Sequence, residues 1–227
     1  MAGTMLLLGC GAGTTTVSTL NIGLVAFWKF TESAAQTRQD YTGGFPLSVN
    51  GAVGAPGGNT VSFPGTAGNY LSYASGGAIT SGTFSIAMSV NISVSSPPYI
   101  FWCQGSGVTA NQFLSYQSVG RAIQLVFGLN AGNTCTLSYT ADGTWKYLVG
   151  TYDGTTATLY VNGVSVSSAV SVFGSAPVSM SMGASPDGSV NAMNGIVGAT
   201  GIWNRVLTTD EIATLYNGGA GGILPPF

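Results

Sequence analysis

An antiparallel β-sandwich with one short C-terminal helix is the fold class that this all-β sequence predicts. The clearest sign is Gly143–Ser168, GTWKYLVGTYDGTTATLYVNGVSVSS, where Asp153-Gly154 and Asn162-Gly163 separate runs rich in Val, Tyr, Thr and Leu. That is the pattern of a β-meander. Alternation agrees across both turns: Leu148, Leu159, Val161, Val164 and Val166 fall on one face, and Trp145, Tyr147, Thr158 and Tyr160 on the other. A second sign is the succession of short apolar runs punctuated by Gly, Pro, Asn and Ser. The third is Thr208-Thr209-Asp210-Glu211, a capping box whose hydroxyl and carboxylate satisfy free backbone amides at a helix start.

Taken in order, GLVAFWKFTE at 23–32 reads as a first strand, with Leu24, Ala26, Trp28 and Phe30 on one face and Val25, Phe27 and Lys29 on the other. Short strands follow near Leu47–Val49, Thr60–Phe63 and Tyr70–Tyr73, then Phe84–Ile92 and Tyr99–Cys103. Phe113–Gln117, Ala122–Gly128 and Thr134–Tyr139 lead into the meander, and Val178–Met182 and Gly195–Trp203 come after it. The helix carries Ile212, Leu215 and Tyr216 on one face and ends at Asn217-Gly218. At about two turns it is too short to persist alone, so it must pack on the sandwich.

The two ends read differently from the middle. Met5-Leu6-Leu7-Leu8-Gly9-Cys10 looks like a lipoprotein cleavage box, but no Lys or Arg precedes it. Its apolar run is also shorter than the roughly 7–15 residues of a signal-peptide core. Residues 1–22 are therefore expected to be a docking arm, 23–217 the sandwich, and 218–227 a Gly-hinged tail. Met5, Leu6, Leu7 and Leu8 at one end, and Ile223, Leu224 and Phe227 at the other, are the expected assembly contacts.

Charged residues make up 5% of the chain, against about 25% in ordinary globular proteins. Either Gly, Ser, Thr, Ala and Asn form the solvated surface, or much surface is buried against other subunits, where charge is depleted. The 5 basic residues are scattered singly and net charge is −2, which excludes a phosphate-neutralising patch and disfavours nucleic acid. No apolar run approaches the roughly 18 residues of a spanning helix, so membrane insertion is not expected. The 3 cysteines show no C-x-x-C spacing. A Cys103–Cys135 disulfide stays open at this point, while buried thiols of a protein folded in a reducing cytoplasm fit the odd count better.

Together these residues resemble the laminin-G-like domains of the concanavalin A-like lectin/glucanase superfamily, over roughly Gly23 to Asn217. The resemblance rests on GLVAFWKFTE, on Val61-Ser62-Phe63 with Gly65 and Asn69-Tyr70-Leu71, and on FSIAMSVN at 84–91. Its most specific parts are WKYLVGTYDGTTATLYVNGV at 145–164 and IWNRVLTTDEIATLYN at 202–217. The resemblance implies a jelly roll of two antiparallel sheets. It does not fix function, because this fold hosts enzymes, lectins, adhesins and spacers. Many relatives have Asp where this chain has Asn69, and an Asp after the Gly-Ile pair of Gly195-Ile196-Val197-Gly198. Those departures argue against the family's calcium site, and no other cofactor is implied. The clustered E-x-D-x-x-E of the glucanases is absent.

The chemistry available is narrow. With 0 histidines, Ser-His-Asp, Cys-His and H-E-x-x-H sites are excluded. Of the 7 acids, Asp142 and Asp153 precede glycines, and Asp210 and Glu211 open the helix. Glu32, Asp40 and Asp187 are left without an evident structural role, and only a chance pairing among these three could supply the two carboxylates of a glycosidase. The chain is therefore read as not an enzyme. Trp28 and Trp203 lie in strand patterns and read as core, and Trp145 as closing the sandwich edge. Asn69, Tyr70, Trp102 and Asp187, near predicted loops, are the candidate carbohydrate-binding residues. Two functions fit. One is a structural protein of a phage virion (a decoration, fibre or baseplate-associated protein) assembled in the host cytoplasm, contacting other virion proteins, further copies of itself and host glycans. The other is a secreted or cell-surface bacterial carbohydrate-binding or adhesion module.

Overall fold

The computed structural model describes residues 19–80, 82–92, 99–106, 109–117, 121–127, 133–170 and 178–217. The expected assembly contacts Met5, Leu6, Leu7, Leu8, Ile223, Leu224 and Phe227, and Cys10 with them, lie outside the described residues. The strands are β1 (Leu24–Trp28), β2 (Ser48–Asn50), β3 (Thr60–Pro64), β4 (Tyr70–Tyr73), β5 (Phe84–Asn91), β6 (Tyr99–Ser106) and β7 (Thr109–Gln117). They continue with β8 (Ala122–Phe127), β9 (Thr134–Ser138), β10 (Trp145–Tyr152), β11 (Thr156–Val161), β12 (Val164–Ala169), β13 (Ser179–Met182) and β14 (Asn194–Trp203). The helix α1 spans Thr209–Tyr216. The strands form two 7-stranded antiparallel sheets. The first runs β1-β14-β5-β10-β11-β12, with β3 also paired to β14, and the second β2-β4-β13-β6-β7-β8-β9. The long strand β14 shares one edge between two partners, β3 along Asn194–Gly198 and β1 along Thr200–Trp203.

Apolar alternation places one core between the sheets. Ile86, Met88, Leu148 and Leu159 face it from the first sheet, and Leu71, Phe101, Leu114 and Leu125 from the second. The thiol of Cys135 crosses this gap to donate to the Val166 carbonyl at 3.1 Å. Cys103 and Cys135 are both free and buried, so the disulfide left open by the sequence is not formed. Cys103 lies 3.0 Å from the Ser181 hydroxyl, and burial pushes its thiol up to about 12.

The meander's second face is also apolar, because α1 covers it. Tyr147, Val149 and Trp203 pack there with Leu207, Ile212 and Leu215. The capping box forms as read: the Thr208 hydroxyl accepts from the Glu211 amide at 3.3 Å, and the Glu211 carboxylate accepts from the Thr208 amide at 2.9 Å. Arg205 ties this helix start to the incoming chain. Its guanidinium donates to Glu211 at 2.7 Å, to the Thr19 carbonyl at 2.9 Å and to the Ile22 carbonyl at 2.7 Å. The Trp203 indole donates to the Leu20 carbonyl at 2.6 Å, and Leu20 is buried under the helix. Thr19–Ile22, expected in the arm, are therefore docked on the sandwich.

Two face assignments are corrected. A β-bulge between Leu24 and Ala26 breaks the alternation, so Leu24 packs in the helix-side cluster and Val25 against the main core. Val164 has the parity of the core face but is exposed, at the start of edge strand β12 just past the Asn162-Gly163 turn. Among the described residues no helix is long and apolar enough to cross a membrane.

Candidate functional site

Antiparallel connectivity gathers several connections at one end of the sandwich: 65–69 between β3 and β4, 139–144 between β9 and β10, and 183–193 between β13 and β14. Three of the four residues read as carbohydrate-binding meet there. Asn69 ends the first connection, Tyr70 opens β4 directly after it, and Asp187 lies on the last. The two loops are tied by a backbone bond from Gly68 N to Gly188 O at 2.9 Å.

Their local chemistry differs. The amide of Asn69 is consumed by the loops, with Nδ2 donating to the Thr66 hydroxyl at 2.6 Å and Oδ1 accepting from the Ala52 amide. Asp187 directs Oδ1 to the Ser185 hydroxyl at 2.8 Å, the Ser189 amide at 3.1 Å and the Ser189 hydroxyl at 2.8 Å. These donors, the Ser189 amide foremost, hold its carboxyl below the usual range. Its Oδ2 carries no hydrogen bond among the described residues, and the residue is exposed. Tyr70 is half-buried on β4, and Gly188 (φ 76°) brings its backbone close against the ring. A Cβ at Gly188 would lie 2.1 Å from Tyr70 Cε1, so only glycine fits. Beside them Asn50 donates to the Ser72 hydroxyl at 2.9 Å and to the Tyr70 carbonyl at 3.3 Å.

Trp102 does not join this group. It is 0% exposed and packs in the main core. The cause is a bulge between Ile100 and Trp102, which turns both Phe101 and Trp102 inward where simple alternation puts them on opposite faces. The exposed indole is instead Trp145, at 43%. The sequence placed it on the correct face of β10 with Tyr147, but read it as closing the edge.

The acids left unexplained by the sequence have structural partners. Asp40 is buried and accepts from the amides of Phe27, Thr42, Gly44 and Phe45 and from the Thr42 hydroxyl, at 2.7–3.0 Å. Glu32 accepts from the Gln39 amide at 2.8 Å. Asp153 binds the Thr155 and Thr156 amides of its own turn, at 2.8 and 2.7 Å, and the Asn162 side chain accepts from Tyr147 N at 2.8 Å, as expected of turn formers. Asp142 pairs with Lys146 at 3.1 Å. Among the described residues no cluster of three or more His, Cys, Asp or Glu has the arrangement to hold a metal, and the Asn69 amide is already occupied.

The family model described as the concanavalin A-like lectin/glucanases superfamily matches residues 64–213. No curated protein matches the chain by sequence. Several solved structures share the fold. Trypanosoma rangeli sialidase in complex with sialic acid superposes with a TM-score of 0.67 at 18% identity, covering 86% of this chain and 32% of the sialidase chain. The chain thus spans about a third of that enzyme. Domain 4 of the extracellular arabinanase AbnA of Geobacillus stearothermophilus, in complex with arabinotriose, gives 0.65 at 19%, covering 84% of this chain and 97% of that domain. The binding domain of botulinum neurotoxin serotype D gives 0.64 at 13%, covering 87% and 51%. At these identities the likeness is one of fold.

Proposed function

Because the chain belongs to the concanavalin A-like lectin/glucanase superfamily, in which loops and not the scaffold set the activity, we propose that it is a non-catalytic carbohydrate-binding module. The observation that carries this reading is the pair Tyr70 and Asp187. A half-buried aromatic ring lies against Gly188, the residue after a carboxylate with one oxygen unbonded among the described residues, a pairing of ring and acceptor suited to a sugar. Likeness to an arabinanase domain in complex with arabinotriose, and to about a third of a sialidase in complex with sialic acid, supports the ligand class. The structural engagement of Asp40, Asp142, Asp153 and Glu211 supports a role without catalysis. A glycan array, repeated with Asp187→Ala and Tyr70→Ala, tests it. Loss of the wild-type signal in both variants is expected. A signal indifferent to both places the site elsewhere, and no signal on any glycan defeats the reading.

The setting we infer is the virion of a tailed phage, in a decoration, fibre or baseplate-associated position with other virion proteins and further copies of the chain as partners. Two features support it: the 5% charge content and the apolar segments at Met5–Leu8 and Ile223, Leu224 and Phe227. A secreted adhesion module is the alternative. Light scattering on the full chain and on a chain lacking residues 1–18 separates them: assembly lost with the segment supports the virion setting, and a monomer in both cases opposes it.

A further inference from the structure

A second exposed ring lies on the outer face of the first sheet, at the end of the sandwich that also carries the Tyr70 loops. Trp145 opens β10 and pairs with Asn91 of β5. The next outward residue on the strand, Tyr147, is covered by α1, whereas Trp145 belongs to neither apolar cluster. Of the other tryptophans, Trp28 and Trp203 donate their indole N–H to Phe45 O and Leu20 O, and Trp102 is sealed in the core. The Trp145 N–H has no hydrogen bond among the described residues, and the residue is exposed.

Gly198 of β14 is buried beside the ring: a Cβ there would lie 3.7 Å from Trp145 Cζ3 and 2.1 Å from the Ser89 hydroxyl oxygen. The missing side chain thus makes room for the Ser89 hydroxyl next to the indole. Asn91 donates Nδ2 to the Gly143 carbonyl at 2.8 Å and keeps Oδ1 unbonded among the described residues. The neighbouring cation, Lys146, is held by Asp142 at 3.1 Å and by the Thr144 hydroxyl at 2.6 Å.

We propose that Trp145, with Ser89 and Asn91 beside it, is a contact site for a neutral saccharide. The C–H face of a sugar ring carries slightly positive hydrogens that suit the electron-rich face of an indole. The indole N–H, the Ser89 hydroxyl and the Asn91 carbonyl oxygen supply one donor, one donor-acceptor and one acceptor for its hydroxyls. Lys146, the next residue in the chain, is already paired and so offers no free cation for a sialic acid carboxylate. The inference rests on the carbohydrate-binding reading and extends it to a second surface and a ligand class.

The test is titration of the full chain with arabinotriose, maltotriose, cellotriose and sialyllactose, read by isothermal titration calorimetry, for wild type, Trp145→Ala, Trp145→Phe, Tyr70→Ala and Asp187→Ala. A neutral trisaccharide is expected to give saturable heat, with about tenfold weaker binding in Trp145→Ala and a smaller loss in Trp145→Phe. Because Trp145 is exposed, Trp145→Ala should keep the wild-type melting temperature. Equal binding by wild type and Trp145→Ala overturns the inference while leaving the carbohydrate reading intact if Tyr70→Ala or Asp187→Ala loses binding. Binding of sialyllactose alone overturns the neutral class. No binding of any probe overturns the inference, and the glycan array then decides the parent reading separately.

Discussion

Replacing Glu211 with Gln isolates the charge at the junction of helix, sheet and incoming chain, because Gln can still accept from the Thr208 amide. The Arg205 guanidinium, followed by the Thr19 hydroxyl and the Thr208 amide, lowers the Glu211 carboxyl from 4.5 to about 2. At about 1.4 kcal/mol per tenfold change, that corresponds to a ceiling of about 3 kcal/mol. The Arg205 side chain is 24% exposed, and solvent screening reduces the expected cost to about 1–2 kcal/mol. For a chain of this size that is roughly 3–6 °C in melting temperature. The sign follows from the lowered value: the stabilisation is complete above about pH 4.5 and is lost as pH falls through about 2. Urea unfolding at about pH 7, 5, 4 and 3 should therefore show a gap between wild type and variant that is full at the first two and narrows through the last two. A gap of constant size, or none at neutral pH, refutes the assignment of the charge to this junction.

Gly188→Ala should cost about 1–3 kcal/mol through its positive φ and the collision with the Tyr70 ring, and should weaken glycan binding in the same titration. Leu148→Ala, from a fully buried core position, should lose about 2–5 kcal/mol in urea unfolding. In a Cys10→Ser background, Cys103 and Cys135 should resist a thiol reagent at about pH 8 while folded and react fully in guanidinium, since burial raises both thiols. Fast labelling of the native protein would contradict their burial.

What the sequence revealed depended on whether its signal was local. The meander and helix were legible because alternation, Asp-Gly and Asn-Gly turns and a capping box all lie within a few residues of the structure they cause. Bulges defeat that reading: one extra residue near Val25 and another near Phe101 invert the alternation, which is why Leu24 changed face and Trp102 went inside. The partners of Asp40 and Glu32 were hidden for a different reason. Their donors are main-chain amides such as Phe27 N and Gln39 N, and an amide has no identity in the sequence. The meeting of Asn69, Tyr70 and Asp187 needed the topology, since it arises from β3–β4 and β13–β14 connections more than a hundred residues apart. The exposure of Trp145 follows from the reach of α1, which ends over Tyr147.

The scarcity of charge gains a meaning once each charged group is placed. Arg38 is buried, with its guanidinium on the Gln36 and Ala34 carbonyls at 2.8 and 3.0 Å. Lys146 and Arg205 are in ion pairs, and Lys29 lies 3.9 Å above the Tyr41 ring centre. Arg121 stays exposed, but it precedes β8, which lies four strands from β4 in the second sheet. Charge in this protein mostly serves turns, the helix start and loop anchors, so recognition at Trp145 falls to rings, hydroxyls and amides. At Tyr70, Asp187 adds an acceptor and no cation. Affinity for a neutral saccharide should then change little between about 0.05 and 0.5 M salt, because hydrogen bonds and stacking are not screened as separated charges are. A fall of more than about tenfold over that range would mean that an ion pair carries the binding, and with it an anionic ligand held by Arg121 or Lys29.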